Sequence, residues 1–214
     1  MLVLGLLAAL SLQDRLARID AQLKAAQFEA ADRELRALNG AIAEHFGSGS
    51  QAMYTVGVIS SFRALAAAGL NDSKDAEWYW SVAKSLYPKF AGSDLRVYGA
   101  AGEAVMRIDS SKSCEVPQRS DYAQFTGPKA IHTPLPKYPY HAVETGIAEA
   151  IVVDVIIAED GTTRCPRVVD THDDPSLAWA LLEAMKDWRY EPALLDGRPV
   201  AVPLRQTIDF RLKY

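Results

Sequence analysis

Cationic runs are missing from this chain. Its 214 residues carry 23 Lys and Arg against 27 Asp and Glu, a net charge of −4. That balance gives no basic footprint for nucleic acid and no polybasic segment for an anionic membrane surface. Histidine is scarce as well. His45, His132, His141 and His172 are dispersed, and none stands in the i, i+4 arrangement with glutamate that binds zinc on a helix. Glycine-rich phosphate loops are absent, and GSGS at 47–50 is not a nucleophile elbow. The acidic pairs Glu159-Asp160 and Asp173-Asp174 fall on a turn and a helix cap, where carboxylates serve local hydrogen bonds. The expectation is a non-enzymatic protein without cofactor or metal.

Long apolar runs are lacking too. The apolar N-terminus ends at Leu10, well short of the ~20 residues that cross a bilayer. No transmembrane span is expected. Residues 1–11 read as what remains of a secretory signal, with Ala9 and Ser11 as small residues near a cleavage site but no basic n-region. The other readings are the buried first turn of a helix, or a start site placed too late. Cysteine is limited to Cys114 and Cys165. In an exported chain they could form one disulfide; otherwise they are isolated thiols.

A helical pattern fills residues 12–108. Leu12, Leu16, Ile19 and Leu23 recur every three or four residues, and Phe28, Ala31, Leu35, Leu38 and Ile42 repeat that spacing after a break at Ala26-Gln27. Ser48 or Ser50 is expected to cap a third helix ending near Ala68. Gly69 is expected as its C-cap, and Asp72 or Ser73 as the next N-cap. The fourth helix carries Ala76, Tyr79, Trp80, Ala83 and Tyr87 and stops at Pro88. At helical spacing Trp78, Tyr79 and Trp80 suit a core better than a peptide groove. A weaker helix over 94–108 is interrupted by Gly99 and Gly102.

Residues 109–136 are rich in proline and serine without periodicity, which predicts an extended linker. Residues 137–214 then read as a compact unit. Ile151, Val153, Val155 and Ile157 form one face of a strand, Asp160-Gly161 a hairpin turn, and Arg164–Thr171 the return strand. Asp174 and Pro175 open a helix whose stripe is Leu177, Leu181, Ala184, Met185 and Trp188. After the turn at Asp196-Gly197 comes the last strand, with Val200, Val202, Leu204, Ile208, Phe210 and Leu212 on one face. Ala201, Pro203, Arg205, Thr207, Asp209 and Arg211 occupy the other. The fold class predicted is α+β: helical hairpins joined to a three-stranded antiparallel sheet with one packed helix.

Two resemblances sharpen this reading. KAAQFEAADRELRAL (24–38) and AAAGLNDSKDAEWYWSVAKSLYP (66–88) resemble tetratricopeptide repeats, at a wider spacing than is usual. The stretch from 137 resembles the TonB C-terminal domain family. The matching pieces are KYPYHAVETGIAEAIVVDVIIAEDG (137–161), RVVDT (167–171), ALLEAMKDWRYEPALLDGRPV (180–200) and TIDFRL (207–212). That resemblance implies a periplasmic domain whose last strand takes up an extended segment of an outer-membrane transporter by strand addition. It implies contact residues Tyr138, Pro139, Val202, Leu204, Arg205, Gln206, Thr207, Ile208, Asp209 and Phe210. The tetratricopeptide-like helical region is separately expected to recruit a second protein. Pro203, which cannot donate to a ladder, fits an edge strand. A full energy transducer needs a membrane anchor and a long spacer, so force transmission by this chain alone is not expected. The other reading is a self-associating envelope scaffold, a homodimer using the sheet edge and the apolar surface of Val152 and Ile156.

Overall fold

The structure is a computed structural model that describes residues 11–45, 49–110, 114–116, 124–170 and 175–211. Expectations resting on Ser48, His172, Asp173, Asp174 and Leu212, and on the side chains of Ile42 and His45, lie outside the described residues. So do those on the apolar N-terminus before Ser11. Five helices come first: α1 (Leu12–Lys24), α2 (Phe28–His45), α3 (Ser50–Gly69), α4 (Ser73–Leu86) and α5 (Gly99–Ser110). Short 3-10 turns at Pro88–Phe90 and Arg96–Tyr98 link α4 to α5. The Ser11 side chain accepts from the Asp14 N–H at 3.2 Å, starting α1, and Asp72 accepts from the Asp75 N–H at 3.0 Å, starting α4. No helix among the described residues is long and apolar enough to cross a membrane.

Three local expectations are corrected. The residue before α3 is Gly49, with no side-chain cap, so Ser50 begins the helix rather than capping it. Gly69 is the last residue of α3, not its left-handed cap. That role falls to Asn71 (φ 62°), whose N–H donates to the Ala68 carbonyl at 3.1 Å while the Asp72 N–H donates to Ala67 at 2.9 Å. Gly69 is needed for space: a Cβ there would lie 2.3 Å from Phe28 Cγ. The helix expected over 94–108 starts later, at Gly99, because Arg96–Tyr98 tighten into a 3-10 turn.

Gly102, which weakened that helix on propensity, also has a packing role. Its added Cβ would sit 1.8 Å from the Leu95 carbonyl oxygen. Gly102→Ala would gain ~1 kcal/mol of helix propensity, but it forces that carbonyl away. The net expected loss is ~1–3 kcal/mol, read as a lower urea midpoint at unchanged slope.

The C-terminal part adds β1 (Phe125–Thr126), β2 (Lys129–His132), α6 (Tyr140–Thr145), β3 (Ala150–Ile157), β4 (Thr163–Asp170), α7 (Pro175–Met185), β5 (Arg189–Glu191), β6 (Ala193–Leu195), β7 (Arg198–Val200) and β8 (Val202–Asp209). The main sheet has the order β4-β3-β8, all antiparallel. Two small ribbons, β1-β6-β7 and β2-β5, stand beside it, so part of the stretch read as a linker pairs as strand. The Asp196-Gly197 turn (φ 51° and 75°) closes β6 onto β7 rather than leading straight into the last strand, which begins after Ala201.

Ile151, Val153, Val155 and Ile157 are buried as their alternation requires. Opposite them lies α7, buried on more than one stripe: Leu177, Ala178, Trp179, Leu181, Leu182 and Met185 are all inside. The reason is that α2 and α3 pack on its far side while the sheet packs on the near side. Ile19, Leu35 and Trp80 of the helical layer therefore share one hydrophobic cluster with Ile151, Leu177 and Trp188. A polar weld crosses the same boundary. The Arg63 guanidinium, 5% exposed, lies 4.0 Å from the Tyr79 ring centre. The Tyr79 hydroxyl donates to Glu183 at 2.9 Å, and Lys186 bridges Tyr79 and Asp75 at 3.1 and 2.8 Å. Burial and the Glu183 carboxylate push the Tyr79 phenol far up, so it stays a donor.

Candidate functional site

The sheet has two edges, and they are treated differently. On β4, the Val168 N–H donates to the Ser85 hydroxyl of α4 at 3.0 Å, and α4 packs along that strand. A helix over a strand edge removes it as a pairing template. On β8, no strand among the described residues pairs with the flank turned away from β3.

The register says which backbone groups lie on that open flank. Residues pair from Ala150 opposite Asp209 to Ile157 opposite Val202 without a bulge. The Phe210 N–H donates to the Glu149 carbonyl at 2.9 Å, so this pair is hydrogen-bonded. Alternation then aims the N–H and C=O of Val202, Leu204, Gln206 and Ile208 at β3. The N–H groups of Arg205, Thr207 and Asp209 point outward, with their carbonyls and that of Pro203. Pro203 thus costs the β3 ladder nothing; it removes the first donor of the open edge.

Side chains alternate with the same period. Val202, Leu204, Gln206 and Ile208 are half-buried beside Ile151 and Val153, while Pro203, Arg205, Thr207 and Asp209 are exposed on the opposite, outer face. Tyr138 meets Phe210 edge-on at 5.4 Å and donates its hydroxyl to the Ile147 carbonyl at 2.6 Å. Pro139 is buried at the start of α6, and Phe210 is buried with it, so these three brace the end of β8 from within.

Residues 134–212 match the family model for the Gram-negative bacterial TonB protein C-terminal. This segment is a TonB C-terminal domain. Protein TonB of Vibrio cholerae serotype O1 is 30% identical over 78 residues, 36% of this chain and 32% of the Vibrio protein. The chain thus matches about a third of that curated relative's length. The family match leaves out α1–α5.

On the outer face of the TonB C-terminal domain a charged row crosses all three strands. Asp154 of β3 accepts from Arg205 of β8 through two bonds, at 2.6 and 2.9 Å, and from Arg167 of β4. The Arg205 bonds, opposed by partial burial and reinforced by Arg167, hold the Asp154 carboxyl at about 2. Because the folded value lies below the ordinary ~3.9, the stabilisation is complete above about pH 4 and is lost as pH falls toward 2. Asp154→Asn should therefore flatten the fall of the urea midpoint across that window. An unchanged acid limb would show that the row contributes nothing to it.

Beside this row Cys114 and Cys165 are joined by a disulfide. Cys165 occupies a bulge of β4 with φ 51°, and the bridge brings Val116 onto Ile156 and Ala201. Ile156, expected as free apolar surface, is consequently only 6% exposed. Glu77 lies near the two sulfurs, and the three residues could hold a metal by distance alone. Both sulfurs are committed to the bond, so thiolate ligands are not available there. A groove of ≈ 750 Å³ runs across the outer face from Pro203 and Arg205 to Lys84 of α4 and Arg167 of β4. Sequence reasoning missed Asp154 and Ser85; only the cross-strand pairing of Asp154 with Arg205 could have been read, once register was known.

Proposed function

We propose that this protein is a non-enzymatic periplasmic adaptor of TonB-dependent transport, its last strand docking an extended segment of an outer-membrane transporter. The observation that carries this reading is the open flank of β8, whose outward N–H and C=O groups are the chemistry of strand addition. The covered flank of β4 supports it, because strand addition at the main sheet is then directed to one side. The disulfide supports an oxidising compartment. A shared core with the helical layer would hold the docking strand rigidly, which lowers the ordering cost of binding.

Titration of labelled protein with peptides from the periplasm-facing segments of outer-membrane transporters tests it. The amide signals of Arg205, Thr207 and Asp209 should move most. Shifts confined to the helical layer, or none at all, would defeat the reading. The same flank would also accept β8 of a second copy. Sedimentation at micromolar concentration separates the two readings, since a strict monomer leaves only the transporter segment.

A further inference from the structure

Two side chains one turn apart on α4 reach the disulfide from the helical layer. Glu77 Oε1 stands 3.7 Å from Cys165 Sγ, and Ser81 Oγ stands 3.9 Å from Cys114 Sγ. A bridged sulfur carries no hydrogen. Ser81 therefore donates to Cys114, but Glu77 and Cys165 face each other as two electron-rich atoms with no proton between them. A thiol proton or a cation would resolve that contact. We propose that, once a dithiol reductant opens the Cys114–Cys165 bond, the two thiolates and the Glu77 carboxylate bind one divalent cation of the zinc class. The site is separate from strand docking and does not depend on it.

The donor set and its spacing carry the assignment. Thiolates select zinc over the hard cations that carboxylates alone would take, and three protein ligands leave the fourth tetrahedral position to water. Zinc bonds of ~2.3 Å to sulfur and ~2.0–2.2 Å to oxygen put a sulfur and an oxygen ligand about 3.5–3.7 Å apart. Glu77 and Cys165 already have that separation. All three ligand atoms lie within 4.8 Å of one another. Cys165 is fixed in β4 and Glu77 in α4, whereas Cys114 is exposed, so Cys114 is the ligand that adjusts when the bond opens. The Ser81 hydroxyl then steadies its thiolate from outside the metal's own shell. The ≈ 750 Å³ groove lined by Ser81, Cys114 and Cys165 admits both reductant and ion.

Opening the bond is a two-electron exchange. One thiolate of the dithiol attacks the exposed Cys114 sulfur and expels the Cys165 thiolate. The second sulfur of the dithiol then releases Cys114 and closes the reductant's own disulfide. Two electrons pass to the protein, and the dithiol's two protons end on the cysteines. Binding the cation returns those two protons to solvent. The metal then keeps Val116 over Ile156 and Ala201, where the bridge had held it.

The test reduces the full chain with a phosphine, which leaves no competing thiol, and titrates it with Co2+. Thiolate charge-transfer and tetrahedral d–d absorption report the ligands. One equivalent should bind with both absorptions, and Zn2+ should bleach them. The oxidised chain should show neither, nor should the double variant Cys114→Ser with Cys165→Ser under the same reductant. Glu77→Gln should bind at least about tenfold more weakly. Zn2+ should also raise the urea midpoint of the reduced chain, because an ion held by the folded site favours folding. Absence of thiolate absorption in the reduced chain overturns the inference. A full spectrum with an unchanged midpoint overturns it too, since the ion then sits on unfolded chains. Undiminished affinity in Glu77→Gln has the same consequence.

Discussion

Gln206→Pro is expected to unfold the sheet, whereas Thr207→Pro, one residue along, should leave the fold intact and abolish docking. The two positions differ in where their N–H points and in which sheet face their side chain occupies, Gln206 half-buried on the inner face and Thr207 exposed on the outer. Gln206 opposes Val153 in a hydrogen-bonded pair at the middle of the β3–β8 register. Proline there removes a ladder bond and leaves the carbonyl of Val153, a residue wholly buried, without its donor. With the ring's clash against β3, the expected loss is ~3–5 kcal/mol, a large part of the ~5–15 kcal/mol that holds a domain. Thr207 has the same outward orientation as Pro203, which the strand already accepts. Its proline variant should keep a urea midpoint close to that of the unmodified chain.

Docking would nevertheless suffer, because the central donor of the open flank is gone and the ring stands where a partner backbone must lie. One lost hydrogen bond is worth ~0.5–1.5 kcal/mol. Adding the steric term gives a loss of at least about tenfold in affinity. Midpoints and peptide titrations on the two variants check both halves. If Thr207→Pro binds transporter peptides as the unmodified chain does, the partner does not lie along this flank.

Loss of the disulfide has the second large effect. Cys114 and Cys165 are 51 residues apart in sequence. Cross-linking a loop of that size removes chain entropy from the unfolded state, worth ~4 kcal/mol on the loop-closure relation and ~2–4 kcal/mol in typical measurements. The double variant Cys114→Ser with Cys165→Ser should lose that amount in urea denaturation, and reduction of the unmodified chain with a dithiol should match it. Releasing Val116 also uncovers Ile156, which adds apolar exposure. Peptide binding should survive, because β8 is held by β3 and not by the bridge. An unchanged midpoint in the double variant would show that the segment around Cys114 is held by other contacts.

The strands and helices with one dry face were legible from periodicity alone. Ile151 to Ile157 alternate because one side of β3 is core, and α1 and α2 carry stripes because each buries one side. The alternation of β8 and the edge meaning of Pro203 were legible for the same reason, since period and missing donor are local properties. Where two layers meet, legibility failed. The extra buried faces of α7 carry Ala178, Trp179 and Leu182, residues that a single-stripe reading leaves outside. Gly69 looked like a cap, but the Phe28 ring from another helix dictates its size. Ile156 looked like spare surface, and a distant cysteine brings Val116 over it.

What the sequence by itself determined is the kind of unit at each point: helices first, then a small α+β unit ending in an alternating strand marked by proline. These follow from hydrophobic spacing, turn residues and missing donors, all of which act over a few residues. Tertiary structure alone decided which sheet edge stays open, which residues face outward from it, and that the helical layer closes the opposite edge. Those outcomes depend on burying α7 from both sides and on aligning β8 with β3 residue by residue. They are set by contacts between segments far apart in the chain, which no local pattern encodes.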